Sequence, residues 1–502
     1  MSPKMRIAID RAHPLTQEGQ MTPSPIETDY LIVGSGATAM AFADTLLSES
    51  DARIVMVDRH HRPGGHWNDA YPFVRLHAPS VLYGVNSREL GSGTRDSAGL
   101  NQGLCELAAG AEVLDYYDQV MNQRFLPSGR VRFFPMCEGE IGTGGEHQVH
   151  SILSGQNWTV TARRKVVDAT HARTAVPSTH PPVYALAPGV RCVPVNDLPR
   201  IRRAEPGYVV VGAGKTGMDA CLWLLQNGVD PERICWIAPR DAWLLDRANV
   251  QPHMDFFDQA IGSLAAQFEA IATATSVPDL FARLEAQGQL LRLDPAVEPT
   301  MYRCATVTQA ELRELRRIRN VVRLGRVKAI EAARIVLEHG SREIEPGWLV
   351  VDCSASGITV PPALPVFDGG RINLLMVRTC QPVFSAALIA YVESHFADEV
   401  EKNALCAVVP MPVVPADWIR MWAVSLGNRQ RWGRHPGLMD WLVHSRLDSM
   451  TALVHAVKED DADRQALLQR YKAGAKLAAA QLPRLLAAVA SSAPVAASAQ
   501  LR

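Results

Sequence analysis

The sequence predicts an α/β protein built from two Rossmann-like dinucleotide-binding domains, the second inserted into the first, together with a helical insertion and a helical C-terminal region. Three observations carry this. Gly34-Ser35-Gly36-Ala37-Thr38-Ala39 and Gly212-Ala213-Gly214-Lys215-Thr216-Gly217 are glycine-rich turns, each preceded by a short apolar run and followed by a helix-like stretch. In such a turn the first glycine allows the bend and the second lets backbone amides approach a pyrophosphate. The third small residue lets helix and strand pack closely, with the anion at the helix N-terminus. The third observation is that similar closing strands, Val166 to Thr170 and Trp348 to Gly357, follow the two units. Two such crossings imply an insertion.

Residues 1–27 include Pro14, Pro23 and Pro25 and no convincing element, so they read as a flexible tail in which Met21 is an alternative start. The first domain begins with a segment covering 28–194. Asp29 to Val33 is apolar enough for a parallel strand buried on both faces, and Ala37 to Leu47 has helical composition. The next strand, Arg53 to Val57, ends at Asp58 and Arg59, where a carboxylate can accept hydrogen bonds from ribose hydroxyls or merely cap a loop. A polar loop after Gly91 leads to a helix from about Leu104 to Asn122 and a strand from Arg130 to Phe134. Gln148 to Ser154 and Trp158 to Ala162 alternate as a small antiparallel sheet does.

The inserted domain covers 195–345. Its strand Tyr208 to Val211 precedes the second turn, a helix runs from about Met218 to Asn227, and the strand Arg233 to Ile237 leads to Ala238-Pro239-Arg240. Where an acid would hold a bare ribose the chain carries Arg240, and a guanidinium suits a 2′-phosphate; NADPH is favoured over NADH, with a solvated loop charge as the alternative. Within this domain 252–318 reads as mainly helical, broken at Pro278 and Pro299, and forms a lid, a substrate wall or a helical subdomain that only packs. The first domain resumes over 346–400, with a strand from Ile372 to Val377 and a helix opened by Gln381-Pro382-Val383-Phe384 and running to His395. Residues 401–490 are helical and carry Trp418, Trp422, Trp432 and Trp441; from Leu482 the alanine- and serine-rich sequence fades, and 491–502 reads as a disordered tail.

At 502 residues and 47% apolar composition the chain can build several cores. Its 51 basic and 52 acidic residues leave no electrostatic footprint for nucleic acid. The apolar stretch from Ile372 to Val392 is interrupted by Arg378, Gln381 and Pro382, so no membrane span is expected, and a cytoplasmic location follows by default. The nine cysteines show no close-spaced metal or disulfide framework and read mostly as small buried residues. No metal site is expected. No two cysteines stand together after the first nucleotide unit, where a flavin disulfide reductase carries its redox pair, so thiol–disulfide chemistry is not expected.

Over about 28–395 the chain resembles the two-dinucleotide flavoproteins and, within them, the flavin-containing and Baeyer–Villiger monooxygenases. Gly64-Gly65-His66-Trp67 is similar to their Gly-Gly-x-Trp segment and is followed by Tyr71 to Ser80. Asp168 to Thr170 and Asp352 to Gly357 resemble their Ala-Thr-Gly-type hinges. The Phe-x-Gly-x-x-x-His-x-x-x-Phe/Tyr fingerprint of monooxygenases is not present; Val183 to Pro199 occupies its place.

The resemblance implies FAD on the first turn, at Gly34, Gly36, Ala37, Thr38, Ala39, Asp58, Arg59, Gly65, His66 and Trp67. NADPH then falls on the second, at Gly212, Gly214, Lys215, Thr216, Gly217 and Arg240. It lays Arg75, His77 and Asn86 beside the isoalloxazine as catalytic candidates, and Gln381, Pro382 and Val383 at its pyrimidine end, where a helix N-terminus suits negative charge. A histidine there can protonate an oxygen adduct and an arginine can stabilise an anionic one. The activity implied is insertion of one oxygen atom from O2 into a small organic substrate through a flavin C4a-(hydro)peroxide. A dehydrogenase, reductase or oxidase acting by hydride transfer is the second enzymatic reading, and a non-catalytic nucleotide-sensing flavoprotein is a third of another class.

Overall fold

The computed structural model describes residues 25–172, 174–355 and 363–492. The expected tails, apart from Pro25 to Glu27 and the last helical residues, and Ser356-Gly357 of the second hinge lie outside the described residues.

The first unit forms as the apolar runs dictate: β1 (Ile26–Val33), α1 (Ala37–Glu49) and β2 (Ile54–Asp58) make a β-α-β crossover with β1 and β2 parallel. Helix α2 (Gly110–Val120) follows the long loop; the expected start at Leu104 is corrected, because 104–109 are held in extended loop pairings such as Arg95 with Cys105 and Arg75 with Ala109. Then come β3 (Val131–Pro135), β4 (Cys137–Glu140), β5 (Glu146–Ser151) and β6 (Asn157–Asp168). The two expected segments ending at Ala162 and Thr170 are one twelve-residue strand, which pairs with β1 along its length while β5 covers the first half of its other edge.

The second unit contains β7 (Ala185–Leu186), β8 (Cys192–Pro194), β9 (Tyr208–Val211), α3 (Lys215–Gln226), β10 (Ile234–Ile237) and β11 (Ala242–Asp246). The insertion is only partly helical. Helices α4 (Phe257–Thr273) and α5 (Val277–Ala286) are followed by β12 (Leu290–Leu291), β13 (Met301–Val307) and α6 (Gln309–Leu315), and β11, β12 and β13 form a three-stranded sheet. Pro278 does not break a helix; it stands in the first turn of α5, where its missing N–H costs nothing, behind the Ser276 cap. After β14 (Val321–Val322), β15 (Val327–Ile330), β16 (Arg334–Leu337) and β17 (Gly340–Glu343) comes β18 (Leu349–Asp352). The fully buried β18 pairs in parallel with β9, so the strand expected to mark the return to the first domain belongs to the second sheet, ordered β14-β10-β9-β18-β8.

The chain returns to the first sheet with β19 (Phe367–Asp368) and β20 (Arg371–Asn373), giving the order β19-β20-β6-β1-β2-β3. Strands β20, β6 and β1 run parallel, so the segments that follow them emerge at one edge. Helix α7 (Pro382–His395) packs along α1, and both are sheathed by the largest core, which includes Met40, Phe42, Phe384 and Leu388. Burying one such side chain contributes about 1.5–3 kcal/mol.

Helices α8 (Glu399–Leu405), α9 (Pro415–Trp432), α10 (Pro436–His444), α11 (Ser449–His455) and α12 (Ala462–Ser492) complete the chain. The fading expected from Leu482 is corrected: α12 continues to Ser492 because Leu482 and Leu485 are buried in the core shared with Phe268 and Ile271 of α4. Trp418, Trp432 and Trp441 are buried and Trp422 is half-buried, all in helices.

Candidate active site

At the first turn Gly34 has φ +106°, a conformation that glycine alone enters without strain, and packs on Ala169, the residue after β6. Gly36 (φ −71°, ψ 179°) opens α1 with no side-chain cap, leaving the first amides, at Ala37, Thr38 and Ala39, without intrahelical partners. A Cβ on Gly65 would lie 2.9 Å from the Cα of Gly36, so turn and Gly-Gly-His-Trp segment meet backbone to backbone. Asp58 has an internal task. Its Oδ2 accepts from Ser35 N (2.5 Å) and Oγ (2.8 Å), and its Oδ1 from His60 N and Nδ1 (both 2.8 Å). Burial works to raise this carboxyl, yet the His60 and Ser35 hydrogen bonds hold it below the usual carboxylate range. His60 is shifted up by its bond to Asp58 and bridges onward to Asp69 at 3.0 Å. Asp58 therefore braces the turn, with its acceptor positions engaged inside the protein. Arg59 is exposed.

The second turn repeats the first. Gly212 has φ +125°, and a Cβ there would meet the carbonyl oxygen of Cys353, the residue after β18, at 2.5 Å. Thr170 donates N–H and hydroxyl to Asp168, and Ser354 does the same to Asp352, so the two hinges share one local geometry. A Cβ on Gly217 would fall 2.0 Å from the Gly212 carbonyl oxygen, whereas one on Gly214 would meet nothing within 4 Å. The space in front of Gly214 is open to a phosphate. Lys215 does not point there; its ammonium is bonded to Asp219, with Glu311 at 4.0 Å. Tyr71 of the first domain donates to the other Asp219 oxygen at 2.7 Å, and the Thr216 side chain lies against the same phenol. Arg240 is exposed without a hydrogen-bond or ion-pair partner among the described residues. Burial, helped by the Arg240 charge and opposed by Asp417, lowers Arg303, a second guanidinium on β13 that the sequence did not single out.

Between the turns lies a buried polar hub. Arg247, fully buried, donates to the His77 carbonyl (3.1 Å), Asn101 (3.0 Å), the Thr306 carbonyl (3.3 Å) and Glu311 (2.9 Å). Thr306 also donates its hydroxyl to the His77 carbonyl. This hub fixes the His77 backbone against β13. His66 and His77 are exposed to solvent although protein packs densely around them. The enclosing protein pushes both down, to about 4, helped at His77 by Lys215 and Arg247 and opposed by Glu311. Solvent on the open face tempers the size of the effect but not its direction. Both rings are neutral at pH 7. His66 stacks on Trp67, whose indole N–H bonds Tyr83 at 2.9 Å.

The opposite wall is the start of α7. Gln381 is its N-cap, Pro382 occupies the first turn and Val383 is buried, and α7 follows the end of β20 after the segment Leu374 to Gln381. The Gln381 Oε1 is buried without a hydrogen-bond partner, a cost that a ligand N–H would remove. Two candidates stand apart. Arg75 is exposed, and its guanidinium has no partner among the described residues. Asn86 is bonded to Ser445 at 3.0 Å, and its neighbour Ser87 to Asp44, so this segment is anchored to α1 and the C-terminal helices instead of joining His77. No group of three or more potential metal ligands occurs among the described residues. No helix among them is long and apolar enough to cross a membrane.

Fold and site define a dinucleotide-binding α/β protein with two Rossmann-like sheets, and residues 32–80 match the NAD(P)-binding Rossmann-like domain family. The chain belongs to one family with the uncharacterized proteins Rv2000 of Mycobacterium tuberculosis and Mb2023 of Mycobacterium bovis, each 50% identical over 461 residues, 92% of this chain and 85% of theirs. Among solved structures it is similar to the polycyclic ketone monooxygenase of Thermothelomyces thermophila, with a TM-score of 0.49 and 13% identity over 93% of this chain and 90% of that one. It is similar also to the NADP+-bound cyclohexanone monooxygenase of Rhodococcus sp. Phi1, with a TM-score of 0.45 and 14% identity over 74% and 85%. For the flavin-containing monooxygenase of Stenotrophomonas maltophilia the TM-score is 0.39, with 16% identity over 82% and 99%.

Proposed function

We propose that the chain is a cytoplasmic FAD- and NADPH-dependent oxidoreductase that acts as a flavin monooxygenase on a small organic substrate. The observation that carries the reading is the meeting, at one sheet edge, of a glycine turn, an uncapped helix and a second helix N-terminus, with the other glycine turn joined to it through His77 and β13. FAD fits the first turn, where the amides of Ala37 to Ala39 and the close Gly36–Gly65 approach suit a pyrophosphate. Its ring fits between the His66–His77 side and the start of α7, where the orphan Gln381 oxygen needs a donor. NADPH fits the open space at Gly214, with Arg240, and Arg303 near it, for the 2′-phosphate.

When bound, FAD supplies hydride acceptance and oxygen activation that amino acids lack. The chain's residues orient and protonate. His77, neutral and fixed by Arg247 and Thr306 through its carbonyl, presents an imidazole able to hold or pass one proton. The amides of α7 stabilise negative charge at the ring's far end. The domain division 28–194, 195–345 and 346–400 belongs to this proposal, with β7, β8 and β18 moved to the NADPH domain.

Stopped-flow absorbance tests it. FAD-loaded protein, reduced by NADPH without oxygen and mixed with oxygenated buffer, should show a transient spectrum distinct from oxidised and reduced flavin. Direct return to oxidised flavin, with substrate present or absent, would instead favour an oxidase or dehydrogenase.

A further inference from the structure

Seven of the nine cysteines are thiols, six of them buried, whereas Cys304 and Cys380 form a disulfide across 76 residues of sequence with Cα atoms 6.5 Å apart. The absence of a close-spaced disulfide framework does not exclude a pair 76 residues apart in sequence, which spacing alone does not reveal. Its place is informative. Cys304 lies on β13 two residues before Thr306, which holds the His77 carbonyl, and Cys380 directly precedes Gln381 at the start of α7. The bond thus ties the two walls of the candidate flavin cleft.

Both cysteines also stand in the left-handed region, at φ 55° and 52°; among the described residues Met136 is the one other non-glycine with positive φ. L-residues avoid that conformation, and where the surroundings enforce it the position is more often functional than incidental. In a cytoplasmic chain, as proposed above, a disulfide is usually catalytic or redox-sensing and not a structural staple. Cys304 is buried while Cys380 is half-buried, so the bond is approached through Cys380, on the Gln381 side.

We infer that Cys304–Cys380 is a second redox centre, which takes an electron pair from the flavin cleft. The inference rests on the FAD and NADPH reading above. The sulfur–sulfur bond breaks and two S–H bonds form, NADPH is oxidised, and solvent supplies the second proton: NADPH, one proton and the disulfide give NADP+ and two thiols. The reduced pair stores two electrons beside the ring and releases β13 from the start of α7.

The test needs no turnover. FAD-loaded protein is titrated with NADPH without oxygen, then denatured and alkylated, and the peptides are mapped. About two equivalents of NADPH per flavin should be consumed, a twofold excess over the Cys304→Ser, Cys380→Ser double variant, with new alkylation at Cys304 and Cys380. Mapping of the natural chain decides the matter even where that variant fails to fold. Flavin bleaching at one equivalent with the pair unalkylated would overturn this inference alone. Absence of bleaching would overturn the cofactor reading, and the inference with it.

Discussion

The Lys215 ammonium is bonded to Asp219, four residues on in the same helix, although Lys215 stands in the glycine turn where a lysine is expected to reach for phosphate. Tyr71, from the other nucleotide unit, completes that carboxylate. The lysine therefore serves the joint between domains, and in the proposed function 2′-phosphate recognition is assigned to Arg240, which is exposed and has no protein partner among the described residues. Arg240→Gln should weaken NADPH binding about tenfold to a hundredfold, the loss of a charge-assisted contact of about 1.5–3 kcal/mol, and leave NADH binding unchanged. Lys215→Met should alter the two nicotinamides equally. Titration of each variant with both nucleotides checks this; equal losses in Arg240→Gln would refute it.

Gly214 and Gly217 separate binding from folding. The backbone at Gly214 (φ −75°, ψ −178°) accepts alanine, and the new methyl would enter open space. Gly214→Ala should keep its melting temperature and lose most NADPH affinity. Gly217→Ala should unfold at clearly lower temperature, because its methyl would overlap the Gly212 carbonyl. Thermal melts paired with nucleotide titration distinguish the two.

Removing Arg247 strands Glu311 inside the protein. Arg247→Met should lower stability by about 3–5 kcal/mol, as loss of one partner of a buried pair does. Arg247→Lys should lose less, since the charge stays but the fork is gone. Urea midpoints measure both; a neutral Arg247→Met would mean that the hub does not hold His77.

The His77 imidazole is pushed down to about 4 in the folded chain against an ordinary 6.5. Between those values the unfolded chain binds more protons, so stability falls as pH drops through that window and the effect is complete below it. Asp58, held low, acts in the same sense at more acid pH, losing its contribution as the pH falls through its folded value. His60, held high, acts oppositely, its contribution being lost as pH rises through its folded value. His77→Gln should therefore lose less melting temperature than the natural chain between pH 7 and pH 4. Parallel slopes would show that His77 is protonated normally.

The glycine turns were legible because each needs a special backbone at fixed spacing: Gly34 and Gly212 take the left-handed bend, and Gly217 the close contact, that the motif demands. The acid at the end of β2 was legible as a residue but not as a role, since its Ser35 and His60 bonds depend on how the turn folds back. Non-local pairs were not legible. Thr306 with His77 and Cys304 with Cys380 start from β13, and Arg247, paired with Glu311, reaches the same strand through the Thr306 carbonyl; β13 falls within the stretch expected to be helical. Its Met301 to Val307 run offers too few residues to separate strand from helix by period. The α12 end was missed for a similar reason: alanine-rich composition hides the Leu482 and Leu485 contacts that only the packed helix reveals.

The central claim is that two nucleotides meet in this chain and pass electrons. Anaerobic addition of NADPH to the FAD-loaded protein, followed by the flavin's visible absorbance, tests it most directly. Rapid bleaching by NADPH, much slower with NADH and abolished in Gly214→Ala, is the predicted result. A flavin that binds yet stays oxidised under excess NADPH, or a chain that takes up no FAD at all, would contradict it.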